Sequence, residues 1–377
     1  VDSLIDDEKL LIAEKALAEG VPFGSYEHIS TQLINQYLPL LSTIAETTPG
    51  ARALIDSIAA ADDKLKGLIL TDALVRRTIE DGVCLLMLGR DAIGYQEFNE
   101  LLSSAAECAR SDRTSLLGKA AGCGRIGGAY RGYVWTDTAV DSVGARRFKT
   151  QCLERLPGFR IEQPKEEELR NISEGAKIVN RLLPELGRSA LSHTFMVVLA
   201  TTAAQFGSLT VPGLPGTIFL SPRVLTTPVR AGEAILHESM HLKFMDVDYT
   251  EHLFSSGFRP QLSPKITPPW HNARDKQEWP LDRLLTAMHV YTALAVFYGR
   301  MERAANTSDG ADRAEYPADT AMKYQRAIDR AYFLANKSRE YSEVFSGAGM
   351  AFIEWIAQIL KELDSRSFRV ELTGKSV

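Results

Sequence analysis

Glu233-Ala234-Ile235-Leu236-His237-Glu238-Ser239-Met240-His241-Leu242-Lys243-Phe244-Met245 decides how this chain is read. Inside it, His237 to His241 spells the pattern HExxH. Residues four apart share one face of an α-helix, so both imidazoles reach toward a single ion. Glu238 lies next to that face, beside the positions a bound metal leaves open, where a carboxylate handles a proton. The flanks suit a helix. Ala234, Leu236, Met240, Leu242, Phe244 and Met245 are apolar, and no Gly or Pro interrupts after Gly232. Apolar residues on nearly every other side predict that the helix is buried. The bland alternative is a pair of core histidines with ordinary hydrogen-bond partners. With seven histidines in 377 residues, chance places an HExxH in on the order of one such chain in a hundred.

Upstream of this helix the period changes. Thr194-Phe-Met-Val-Val-Leu-Ala and Gly216-Thr-Ile-Phe-Leu read as short strands, with the turn-rich Val211-Pro-Gly-Leu-Pro-Gly between them. Ser221 to Val229, with two prolines, leads into the HExxH helix. A strand beside that helix lines a cleft and offers its edge to an extended peptide; an ordinary core strand has the same signature. Pro164 to Leu183 reads as a helix opened by carboxylates, which favour a helix N-terminus. Residues 1 to about 110 read as successive helices, among them Ala51 to Ala61 and Lys64 to Leu88, with Pro39 kinking or ending the one from Ile29 to Ile44. Residues 118 to 134 are Gly-rich but lack Gly-Lys-Ser/Thr, which favours a connector over a phosphate loop. Thr136 to Arg146 reads as loop. Downstream, Ser255 to Trp279 is irregular and Pro-rich, as functional lids and binding loops often are. Pro280 opens a buried helix, Leu281 to Met301, and Ala318 to Ala335 and Gly347 to Leu363 add two more. Ser365 to Val377 reads as a short strand or tail.

The expected fold is mainly α, with a small β element beside the HExxH helix (α+β). Residues 1–160 form a helical N-terminal region and 161–377 a metal-binding catalytic region, either apart or as one continuous domain. Composition is that of an ordinary globular protein, 45% hydrophobic and 24% charged, with net charge -5 and pI about 5.9. Scattered basic residues on an acidic chain argue against nucleic acid and against docking to an acidic membrane. No long apolar run predicts a membrane span. The first residues do not read as a signal peptide, so a cytoplasmic enzyme is the expectation. Cys84, Cys108, Cys123 and Cys152 are widely spaced with no CxxC, which favours free thiols in a reducing compartment.

A catalytic site of this kind needs a third protein ligand. The downstream candidates are Asp246, Asp248, Glu251, His252, His271 and His289. Asp246 and Asp248 follow His241 too closely to fold back. Phe244 stands where the metzincin pattern needs Gly, which excludes that class. Glu251 would suit a protease that takes Glu from a second helix, but no strong helical signal surrounds it. His289 is favoured. It is the histidine on a second buried helix, where an imidazole is costly unless bonded to a backbone carbonyl or a metal. Glu233, one turn before His237, is either a partner orienting that ring or a solvated carboxylate.

A strand, a Pro-containing loop, Leu-His-Glu-x-x-His, a Pro- and Trp-rich segment and a buried helix with one His together resemble the HExxH family of peptide-modification proteins. Those proteins accompany ribosomally made peptide natural products (RiPP biosynthesis). The resemblance covers Gly216 to Tyr298, with Trp270, Arg274, Pro280 and Leu281 approximating the intervening stretch, and more loosely the helical first half. It implies an iron(II)- and 2-oxoglutarate-dependent dioxygenase, a peptide hydroxylase acting on a side-chain β-carbon of a precursor peptide. His237, His241 and His289 would be the metal ligands, with Glu238 catalytic. The family carries Arg before the Pro, where this chain has Trp279, and its interval from Pro280 to His289 is shorter. Iron(II) needs three ligands and vacant positions for 2-oxoglutarate and oxygen. The remote carboxylate of 2-oxoglutarate needs a cation, preferably a bidentate Arg, for which Arg274 and Arg283 are nearest in sequence to the downstream ligand. Two alternatives compete: a zinc metallopeptidase with Glu238 as general base, and a non-catalytic scaffold with structural histidines.

Overall fold

Side-chain oxygens decide where several helices start. In the computed structural model, which describes residues 6–89, 93–111, 123–125, 132–136, 142–270, 277–307 and 316–364, Asp6 accepts from the Glu8 N–H and opens α1 (Asp7–Glu19). α2 (Tyr26–Ala45) runs through Pro39 without ending there, because Ile29, Leu33, Tyr37, Leu41 and Ile44 bury one continuous face. α3 (Pro49–Ala59) follows. Lys64 to Leu88, one helical pattern in the sequence, is divided by a second cap: Asp72 accepts from Leu74 and Val75 N–H, separating α4 (Asp63–Leu70) from α5 (Ala73–Gly82). α5 continues into a π-helical turn, Val83–Met87. α6 (Tyr95–Arg110), β1 (Cys123–Arg125), β2 (Tyr133–Trp135), α7 (Val143–Arg155), β3 (Phe159–Ile161) and α8 (Glu166–Leu182) come next. α7 replaces the end of the expected Thr136–Arg146 loop, because Ser142 caps it through the Ala145 N–H. Then follow α9 (Pro184–Leu191), β4 (Met196–Thr202), β5 (Ser208–Thr210), β6 (Thr217–Leu220), α10 (Pro228–Glu251), β7 (Lys265–Ile266), β8 (Trp279–Pro280), α11 (Leu281–Thr307), α12 (Thr320–Arg339) and α13 (Gly347–Leu363). The protein is mainly α with a small β element. Most of the Gly-rich segment and the tail after Asp364 lie outside the described residues. Among the described residues, no helix is long and apolar enough to cross a membrane.

The chain divides into two units. One takes Val1–Ser25, Ile178–Ala190 and Lys243–Val377; the other takes Tyr26–Lys177 and Leu191–Leu242. The second unit holds helices packed through α2, α3, α5 and α6, and a sheet of order β1-β2-β4-β6-β5, with β3 paired to the far half of β4. β4 and β6 pair in parallel, Met196 opposite Thr217 through Leu199 opposite Leu220, and both are buried. A strand covered on both faces reads as a run of apolar residues, and this is why these two were legible. β5 pairs antiparallel to β6 and is the edge of that order.

The HExxH helix is set against α8 by two glycines. A Cβ on Gly175 would come within 2.6 Å of the Gly232 backbone nitrogen and 2.7 Å of the Pro228 carbonyl. The two backbones therefore touch. Gly175→Ala gains about 1 kcal/mol of helix propensity, but the clash is with backbone, which has no rotamer to move, and overpacking costs more than that. A net destabilisation on the order of 1–2 kcal/mol is expected, and a denaturant melt measures it. Wild-type stability would mean the helices separate freely.

In the other unit, α1, α11, α12 and α13 pack together. α11 is buried on nearly every side, from Leu281 through Met301. Lys243, on the far side of His241 along α10, is fully buried. Its ammonium donates to the carbonyls of Leu17 (2.8 Å) and Gly24 (2.5 Å) and to Ser189 Oγ (2.8 Å). That satisfies all three donors and ties the segment after α1 to α9 and α10.

α10 ends at His252, whose φ of 53° is a left-handed cap. Asp248 Oδ1 accepts from the Leu253 N–H at 3.2 Å. Burial pushes the Asp248 carboxyl up to about 6, against the pull of that N–H and of His252, and Asp282 adds to the rise. The folded protein thus holds this proton more tightly than the unfolded chain. Stability from this group falls as pH rises from about 4 to about 6, and the penalty is fully present above that window. Asp248→Asn keeps the acceptor and removes the charge. It is expected to be more stable than wild type at pH 7.5, by about 1 kcal/mol after solvent screening, and no more stable at pH 4. An equal effect at both pH values would dissociate the gain from the charge.

Candidate metal centre

The two motif histidines come together. His237 Nε2 and His241 Nε2 lie 3.1 Å apart, with ring centroids 4.9 Å apart. Burial pushes the His237 ring down to about 4, a shift moderated by the 35% of its side chain that stays open. At neutral pH it is an uncharged imidazole, the form that ligates metals. Two nitrogens sharing one ion at about 2.0–2.1 Å rest roughly 3.0–3.4 Å apart, so the donor pair fits a metal. A hydrogen bond between the two rings, one as the Nε2–H tautomer, has the same length.

Glu238 sits beside them, with Oε1 3.9 Å from His237 Nε2, and is 2% exposed. Burial raises its carboxyl to about 7, partly offset by the Ser208 and Thr210 side chains on β5. Its Oε2 has no hydrogen-bond partner among the described residues. A buried polar atom without a partner points to a missing ligand, water or ion, a second feature that fits a metal centre. The next motif residue, Ser239, is hydrogen-bonded to Thr194 at 2.7 Å, both buried. Asn171 on α8 donates to the Leu225 carbonyl just before α10. These contacts fix the helix against the sheet and against α8.

The other sequence candidates are placed differently. His289 belongs to the other unit. It is fully buried on α11, with ring centroids 5.5 Å from Phe352, 6.1 Å from Trp355 and 6.4 Å from Phe244. Asp246, Asp248 and Glu251 all lie on α10 itself. The helix around Glu251 that its sequence failed to signal is the last turn of the HExxH helix. Ten residues past His241, Glu251 is roughly 15 Å along the axis, so it does not return as a ligand from a second helix. His252 is the cap. His271 and Arg274 lie outside the described residues. Arg283 is exposed and stacks on Trp279, its guanidinium carbon 4.4 Å from the ring. Among the described residues, no group of three or more His, Cys, Asp and Glu gathers so as to hold a metal. The pair His237 and His241, with Glu238, is the part of the expected set that is brought together.

Sequence reasoning missed Ser208 and Thr210. Their signal is faint: a Ser-Leu-Thr alternation after Gly207, three residues long. It also missed Arg223, which lines a cavity of about 290 Å³ with Thr201, Thr202, Gln205, Phe206 and Ser221.

Compared with models of known protein families the chain matches none, and no curated protein matches it.

Proposed function

We propose that this chain is a metal-dependent enzyme acting on a peptide, and that its reaction is hydroxylation of a side-chain β-carbon with iron(II) and 2-oxoglutarate. The observation that carries the metal is the 3.1 Å approach of two imidazole Nε2 atoms beside a buried carboxyl. The resemblance over Gly216 to Tyr298 selects the oxygenase among metal enzymes. His237 and His241 hold the ion. His289 is the third ligand the resemblance implies, and Arg274 and Arg283 are its candidates for the remote carboxylate of 2-oxoglutarate. When bound, iron and 2-oxoglutarate supply the oxidising chemistry. Glu238 exchanges a proton at Oε2, and its burial keeps bulk water from that oxygen. A precursor peptide is the substrate, and the compartment is the reducing cytoplasm, with which the free thiols of Cys84, Cys108 and Cys152 agree.

One observation favours zinc peptidase chemistry as the second reading. Buried Glu238 has Oε1 3.9 Å from His237 Nε2, a position from which a carboxylate would serve as general base beside a bound metal. Protein purified without oxygen separates the two. Iron content with oxygen-dependent conversion of 2-oxoglutarate to succinate is the expected result. Zinc with peptide cleavage and no succinate would replace it, and a stable protein holding no metal would overturn both.

A further inference from the structure

β5 is an open sheet edge, and its register says which backbone groups it offers. Ser221 N–H donates to the Gly207 carbonyl at 2.8 Å, so Gly207 and Ser221 are a hydrogen-bonded pair across β5 and β6. Antiparallel pairs alternate. Leu209, opposite Phe219, therefore bonds inward. Ser208, opposite Leu220, and Thr210, opposite Ile218, turn their N–H and C=O groups away from β6. Among the described residues nothing pairs with that side, since the sheet order ends at β5. Unpaired strand edges are templates for another strand. This edge is also where the chemistry is, because the Ser208 and Thr210 side chains act on the Glu238 carboxyl.

At the Gly207 end, where β4 and β6 finish, lies the 290 Å³ cavity containing Arg223. That is the lower limit for enclosing drug-sized ligands, about 300 Å³, and suits a single side chain. The cavity is lined by Thr and Ser hydroxyls, the Gln205 amide and the Phe206 ring, which packs edge-on to Phe159. Glu162, the nearby carboxylate, already accepts from the Thr201 hydroxyl. Arg223 is exposed, and its guanidinium has no hydrogen-bond or ion-pair partner among the described residues. A guanidinium fork beside hydroxyls recognises a carboxylate.

We propose that the substrate is a linear peptide bound as an added strand on β5, with one acidic side chain of that peptide held in the cavity by Arg223. This rests on the reading of the chain as a peptide-acting enzyme. A strand added about 4.8 Å from β5 runs alongside the Glu238 carboxyl. Its backbone bonds to Ser208 and Thr210, which gives sequence-tolerant affinity, while the cavity supplies selectivity.

The test uses the full chain in excess chelator, so that metal plays no part. A displayed library of linear peptides, each about nine residues long, is selected on the protein, and winning peptides are made with single backbone N-methyl groups. The expected result is an acidic residue at a fixed position and a loss of binding of tenfold or more at every second N-methyl site only. Arg223→Glu is expected to exchange the acidic preference for Lys or Arg. No enriched peptide, a methylation effect without the period of two, or an acidic preference that survives Arg223→Glu would each overturn the proposal. Peptide binding by a protein that takes up neither added iron(II) nor added zinc sinks the metal-enzyme reading and leaves this one standing. Metal uptake with no peptide binding does the reverse.

Discussion

A His237→Ala/His241→Ala double variant is expected to lose its metal and at least about a thousandfold in activity, several kcal/mol of barrier. Its melting temperature without metal should stay close to wild type. Both residues are partly open to solvent, so truncating the two rings leaves little buried volume empty. The measurement is metal content per chain by elemental analysis, beside a thermal melt of metal-free protein. Undiminished metal in the double variant would remove the centre from this helix. The same assay reads the third ligand. If His289 serves, His289→Gln lowers metal occupancy at least tenfold; unchanged occupancy assigns its ring to packing against Phe244, Phe352 and Trp355. Gln is the better probe than Ala, because emptying a fully buried ring site costs about 2–4 kcal/mol in stability alone.

Lys243→Met carries the largest expected loss of stability. The substitution is close in volume and removes no apolar contact. It strips the carbonyls of Leu17 and Gly24 and the Ser189 hydroxyl of a charged donor. Hydrogen bonds to charged groups are worth about 1.5–3 kcal/mol each. The relief of no longer burying an ammonium offsets part of that sum. A net loss of about 3 kcal/mol is expected, seen as a lower denaturant midpoint with unchanged slope. Because Lys243 lies two residues past His241, metal content in the surviving folded protein should remain that of wild type. A Met variant as stable as wild type would show that the three acceptors find other donors.

Much of the molecule is legible in its sequence, for identifiable reasons. α13 runs from Gly347 to Leu363 as its apolar period predicts, α8 falls within two residues of its expected range, and α11 starts at Leu281 as expected but runs past Met301 to Thr307. Long amphipathic or wholly apolar helices state themselves by local pattern. β4 and β6 were read from apolar runs. β1, β2, β3 and β5 were not, because two or three residues carry no period and acquire strand geometry from the partner they pair with. The division at Asp72 was missed because an Asp within a helical pattern becomes a boundary only when its carboxylate meets the following N–H groups.

The site divides in the same way. That His237 and His241 share a helical face, with Glu238 beside them, follows from their spacing, because a four-residue interval is a property of the helix alone. Tertiary structure decided that their ε-nitrogens approach to 3.1 Å, that Glu238 is buried facing a strand edge, and that Lys243 is held by three acceptors. Those facts depend on residues far away in the chain, such as Ser208, Thr210, Leu17 and Ser189. Sequence spacing does not encode the distance between residues that meet only when the chain packs.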